Sequence, residues 1–139
     1  MDNAHPGDVR VAIAGEDDIV LARGRARNLA KDLGFGVVDQ SRIATAVSEL
    51  TRNVVRYATD GRGEAILRAL APSPRAGIEI VVRDTGPGIE DVARAMEEGY
   101  TTGRGMGIGL PGTKRLMDEM EIRSTPGVGT VVTVRKWRT

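Results

Sequence analysis

The chain has 139 residues, 40% of them hydrophobic, which suits one compact core. It has no cysteine and no run of about 18 apolar residues; this excludes disulfides, a thiol nucleophile, thiolate-bound metal and a transmembrane helix. With 20 Lys and Arg against 19 Asp and Glu, and one Phe, one Trp and two Tyr, neither net charge nor base stacking points to nucleic acid.

Residues 1–8 read as a loose tail without the basic patch and apolar run of a secretory signal, so a cytoplasmic protein is the simplest expectation. Residues 9–14 alternate and stop at Gly15, as a first strand does. Asp17 or Asp18 then caps a helix carrying Ile19, Ala22, Ala26, Leu29 and Leu33, with Gly34 as its stop. Arg23, Arg25 and Arg27 on it suit a solvated face, with a phosphate-binding patch as the alternative. Asp39 opens a second helix with the stripe Ile43, Val47, Leu50 and Val54, ending near Ala58 before the Asp60-Gly61 turn.

Strands over 64–70 and 78–83 flank a hairpin loop at Pro72-Ser73-Pro74. A turn over 84–88, a short helix over 90–98 and a glycine-rich loop over 99–109 precede a helix over 110–120. Residues 121–124 and 130–137 read as strands joined by the turn Pro126-Gly127-Val128-Gly129. This order lacks the βαβ rhythm of a parallel sheet. Two late hairpins imply an α+β sandwich: a mixed, mainly antiparallel sheet with helices on one face, in a single domain over 9–139.

Four clusters carry chemistry. Glu49 and Asn53 stand four apart and share a helix face, offset from the apolar stripe. A carboxylate there can take a proton and an amide oxygen can ligate magnesium; an ordinary exposed face is the bland alternative. Asp84 ends an apolar alternation and is followed by Gly86 and Gly88, which gives an acceptor for an adenine amine beside a wall without side chains, or a plain turn. Gly105, Gly107 and Gly109 lead into a helix, so their amides can cradle phosphates; a flexible linker competes. Gly127, Gly129 and Thr130 are weak alone and suit a hairpin turn.

Together, ExxxN at Glu49 and Asn53, DxGxG from Asp84, the glycine box to Gly109 and GxGT ending at Thr130 resemble the GHKL ATPases, the family of gyrase, mismatch-repair ATPases and histidine kinases. The runs Ala46-Val47-Ser48-Glu49-Leu50, Gly107-Ile108-Gly109-Leu110-Pro111-Gly112 and Lys114-Arg115-Leu116-Met117-Asp118-Glu119 closely resemble RsbT-like switch kinases, relatives of the anti-sigma-factor serine kinases. The resemblance implies a left-handed α/β sandwich, with ATP and Mg2+ as cofactors. It assigns Glu49 as general base, Asn53 as magnesium ligand and Asp84 as reader of the adenine amine. Gly86 and Gly88 would line the adenine, with Thr130 ordering that side. Gly105, Gly107 and Gly109 would face the phosphates, and Arg104 would reach the terminal one.

The implied partner is a STAS-domain scaffold or antagonist that accepts the phosphoryl group, after which the kinase leaves to act on a phosphatase or other signalling protein. One departure concerns Tyr57, where many anti-sigma kinases carry histidine; RsbT-like sequences share the tyrosine, which removes one metal or base-orienting group. A histidine-kinase catalytic domain would need its phosphoacceptor, yet the one histidine is His5 in the tail. An ATP-driven clamp would need a second domain to supply a lysine. A nucleotide-gated binding module with little phosphoryl transfer stands as the alternative to an active kinase.

Overall fold

Short runs of alternating branched residues build a sheet, and two amphipathic helices cover one of its faces. The computed structural model describes residues 7–57, 62–70, 75–86, 96 and 109–139. Its elements are β1 (Val9–Ile13), α1 (Glu16–Asp32), α2 (Val37–Tyr57), β2 (Gly63–Leu70), β3 (Gly77–Asp84), α3 (Gly109–Leu116), β4 (Glu119–Thr125) and β5 (Gly129–Trp137). The strand order is β1-β2-β3-β5-β4, antiparallel at every pairing. This is the expected α+β sandwich. The short helix over 90–98 and the loops at 60–61 and 72–74 lie outside the described residues.

The core lies between sheet and helices. Ile78, Ile80 and Val82 of β3, Leu67 of β2 and Val132 and Val134 of β5 meet Ile43, Val47, Leu50 and Val54 of α2 and Ala22, Ala26 and Ala30 of α1. Burying each large aliphatic side chain contributes roughly 1.5–3 kcal/mol, so the α2 stripe alone is a major part of the fold's stability.

Four boundaries differ from the sequence expectation by two or more residues, each with a hydrogen bond that accounts for it. α1 starts at Glu16 because Gly15 offers its carbonyl to the Asp18 N–H (3.1 Å). Asp18 is therefore the third helical residue, not the cap, and its carboxylate reaches back to the N–H groups of Ala14 (2.8 Å) and Gly15 (3.2 Å). At the other end Gly34, at φ 89°, donates to Lys31 O and Phe35 donates to Ala30 O, both at 3.0 Å. α2 begins at Val37, before Asp39, because Gly36 O accepts the Gln40 N–H (2.9 Å) while the Gln40 side chain holds Phe35 O (2.8 Å). α3 stops at Leu116 rather than near 120, and β4 begins at Glu119 rather than 121: the Asp118 N–H goes to Arg135 O (2.9 Å), which starts the pairing with β5. Asp8, assigned to the loose tail, is clamped by Arg68 at 3.0 and 3.1 Å.

That clamp is the first rung of a charge ladder on the uncovered face. Arg68, Glu79, Arg135 and Glu119 are successive cross-strand partners on β2, β3, β5 and β4. Arg68 donates to Glu79 (3.1 Å), Arg135 donates to Glu79 (2.7 Å) and to Glu119 (3.2 Å), and the Trp137 indole N–H closes the row on Glu119 (2.9 Å). The hydrogen bonds of Arg68 to Asp8 and of Arg135 to Glu79 raise both guanidinium pKa values further.

The bond from Trp137, and then that from Arg135, hold the Glu119 carboxyl below its ordinary range. A carboxyl depressed by folding contributes stability that is complete above its unfolded pKa and lost as pH falls through the folded one. Glu119→Gln should therefore melt below the wild type at neutral pH, with the gap closing on acidification. Thermal melts of both proteins across the acid range check this, and a gap independent of pH would contradict it.

Candidate active site

Strand register assembles a polar row across one end of the sheet. Asp84, the last residue of β3, pairs with Gly63 on β2 and Thr130 on β5, and Thr130 pairs with Ser124 on β4. Asp84 keeps the alternation of Ile78, Ile80 and Val82, which places it on the helix-covered face. Its Oδ1 accepts the Gly86 N–H at 2.8 Å, an Asx turn that ends the strand and fixes the carboxylate. Among the described residues no donor is bonded to Oδ2. Thr130 and Ser124 share a hydroxyl–hydroxyl bond of 2.9 Å, and Ser124 also reaches Gly129 O at 3.3 Å. Gly86 is buried, as a wall without a side chain requires.

Two glycines make room for this strand end. A Cβ at Gly129 would run into the Asp84 carbonyl and come within 3.1 Å of Thr85 Cα, and Gly129 has φ 154°. A Cβ at Gly63 would run into the Arg83 carbonyl and lie 2.8 Å from Val54 Cγ1. The first gives the GxGT box its structural meaning. Gly127, at φ 79°, serves only the hairpin turn that Val128 N–H closes on Thr125 O (2.9 Å).

The Val54 contact ties α2 to the row, and with it the face carrying Glu49 and Asn53. The Glu49 side chain is 12% exposed and lies 3.6 Å from Arg52 Nη1, which restrains it. Asn53 is half-buried. α3 packs against α2 and buries Pro111, Gly112 and Thr113. It opens at Gly109, whose φ of 67° favours glycine and whose carbonyl accepts the Thr113 hydroxyl at 2.9 Å. Tyr57 closes α2. Gly88, Arg104, Gly105 and Gly107 lie outside the described residues.

The structure thus brings Asp84, Gly86 and Thr130 together and sets the helix of Glu49 and Asn53 over them. Sequence reasoning missed Gly63, Ser124 and Arg52. Arg52 was visible at three residues from Glu49, and Ser124 as the polar member of the Met120, Ile122, Ser124 alternation; Gly63 carries no local signal. Among the described residues no group of three or more His, Asp or Glu is placed to hold a metal. The Asn53 amide oxygen is a hard donor of the kind that magnesium takes alongside phosphate and water.

The chain belongs to the histidine kinase-, DNA gyrase B- and HSP90-like ATPase family, whose model matches residues 38–139. It is 50% identical to the serine/threonine-protein kinase RsbT of Bacillus subtilis (strain 168) over 127 residues, 91% of this chain and 94% of that one. An anti-sigma F factor of Caldanaerobacter subterraneus subsp. tengcongensis is 38% identical over 121 residues, 84% of this chain and 83% of its own. A crystal structure of the RsbU and RsbW domains of a Mycobacterium tuberculosis protein shares the fold at TM-score 0.65 and 20% identity, matching 94% of this chain and 32% of that larger one. The chain is a kinase of the GHKL type, similar over nearly its whole length to a serine/threonine-protein kinase.

Gly129→Ala tests the row directly. Its Cβ has to displace the Asp84 backbone, so nucleotide affinity should fall about tenfold or more, whereas Gly127→Ala, which strains its turn at φ 79° but meets no atom within 4 Å, should lower stability and leave affinity within about twofold. Equal affinities for the two variants, measured by anisotropy of a fluorescent ATP analogue, would remove Gly129 from the site.

Proposed function

We propose that residues 9–139 act as one cytoplasmic, ATP-dependent serine/threonine kinase domain that phosphorylates a STAS-domain partner and is released by doing so. The observation that carries the reading is the placement of α2, with Glu49 and Asn53, against the end of the sheet where Asp84 and Thr130 stand. The 50% identity with the serine/threonine-protein kinase RsbT supports a serine or threonine acceptor, and the STAS-domain partner rests on the family resemblance. No described helix is long and apolar enough to cross a membrane.

In this reading Asp84 accepts the adenine amine through Oδ2, Gly86 and Gly88 form the wall behind the ring, and Thr130, held by Ser124, orders the same side. The amides of Gly105, Gly107 and Gly109, with Arg104, hold the phosphates. Asn53 ligates Mg2+, which supplies charge neutralisation to the phosphates when bound. Glu49 takes the proton of the attacking hydroxyl. With a STAS-domain scaffold or antagonist as acceptor, the freed kinase would then engage a phosphatase or other signalling protein of a stress-response pathway.

Two substitutions separate binding from chemistry. Asp84→Asn exchanges a charged acceptor, whose hydrogen bond contributes roughly 1.5–3 kcal/mol, so ATP affinity should fall by one to two orders of magnitude. Glu49→Gln should bind ATP normally and transfer phosphate about 10²–10⁴-fold more slowly. Calorimetry paired with single-turnover assays on labelled ATP reads both. Normal transfer by Glu49→Gln would assign the base elsewhere, and no transfer by the wild type would favour a nucleotide-gated binding module.

Release follows from charge. A phosphoserine carries nearly two negative charges and would face both the nucleotide phosphates and the Glu49 carboxylate. Like-charge repulsion should therefore weaken the product complex. A partner with its acceptor Ser→Ala should bind more tightly than the phosphorylated partner at equal salt. Equal or reversed affinities would leave a kinase without a release switch.

A further inference from the structure

Lys136 is a charged residue buried on the helix-covered face of β5, in phase with Val132 and Val134 and only 7% exposed. Its ammonium donates to Leu116 O at 2.9 Å, in the last turn of α3. It lies 3.8 Å from Asp39 Oδ1, in the first turn of α2, and 3.7 Å from Asp118 Oδ1. Each anchor is itself held: Arg42 donates to Asp39 at 2.9 Å, and Asp118 accepts the Trp137 N–H at 2.8 Å. A cation here satisfies a helix-end carbonyl and opposes the α3 dipole. One ammonium thus joins, on the floor of the sheet, the far ends of the two helices that carry Asn53 and Gly109.

The distance to the polar row is long. Lys136 is six residues along β5 from Thr130, about 20 Å at roughly 3.3 Å per residue. From Lys136, α2 runs forward to Glu49 and Asn53, while α3 runs back to Gly109. α3 spans about 12 Å, so a tilt of roughly 10° about Leu116 moves Gly109 by about 2 Å. Displacements of about 1 Å already impair a phosphoryl-transfer geometry.

We propose that Lys136 is a positioning residue for the phosphate half of the nucleotide. It fixes the spacing of α2 and α3 at their common base, on which Asn53 and the Gly109 amide depend, whereas the adenine end rests on β3 and the start of β5. This rests on the ATP-site reading above.

Calorimetric titration of the wild type, Lys136→Met and Lys136→Arg with Mg-ATP and with adenosine tests it. Lys136→Met should weaken ATP binding about tenfold, with unchanged stoichiometry and unchanged adenosine affinity, and Lys136→Arg should restore most of the loss. ATP and adenosine affinities falling together, or a loss of stoichiometry alone, would make Lys136 a purely structural residue and overturn the proposal. Should Lys136→Met not fold, Lys136→Gln, which keeps a neutral donor for Leu116 O, is read by the same ratio. A wild type that binds ATP but is indifferent to Asp84→Asn would sink the underlying site reading instead.

Discussion

Everything at the candidate site depends on how closely α2 approaches the sheet. Val54 touches β2 where Gly63 offers no side chain, and on its other side β2 presses the same glycine against the Arg83 carbonyl. Any Cβ at that point would separate helix from strand and tilt the face that carries Glu49 and Asn53. The apolar stripe from Ile43 to Val54 supplies the force for this approach, and the missing side chain supplies the space. Chemistry at one end of α2 is therefore set by packing along its whole length.

The two faces of the sheet solve different problems. The covered face is apolar except at its ends, where Asp84, Thr130 and Ser124 sit at one and Lys136 at the other. The open face carries many charges, paired in a row that crosses the sheet from Asp8 to Glu119 and in a second set of Arg10, Glu64 and Arg83. Such cross-strand pairs favour one register over a slipped one. A slip by one residue would put Asp84 on the wrong face, so the ladder protects the site from a distance.

Most of the fold was legible because its signals are local. The α2 stripe has the helical period, the strands alternate, and Gly34 marks a helix stop that the backbone realises. α3 was overrun because Met117, Glu119 and Met120 are good helix formers; only the pairing of Glu119 with Arg135, distant in sequence, turns them into strand. Asp18 was misplaced for a similar reason: a carboxylate in the first turn looks the same whether it caps from outside or reaches back from within. At the site, Asp84 and Glu49 were visible, since strand ends and helix faces are written in neighbouring residues. Gly63 and Lys136 were not, because their roles exist only once β2, β5 and the helices have met.

The polar row also has a thermodynamic reading. Gly63, Asp84, Thr130 and Ser124 come from four strands, and Asp84 meets Thr130 only through the long-range pairing of β3 with β5. No partly folded chain lacking that pairing has the row. A ligand held there binds the native state alone, and mass action then stabilises the protein by about 2.7 kcal/mol at a hundredfold excess over Kd. The folded fraction of the chain is thereby coupled to the supply of whatever binds the row.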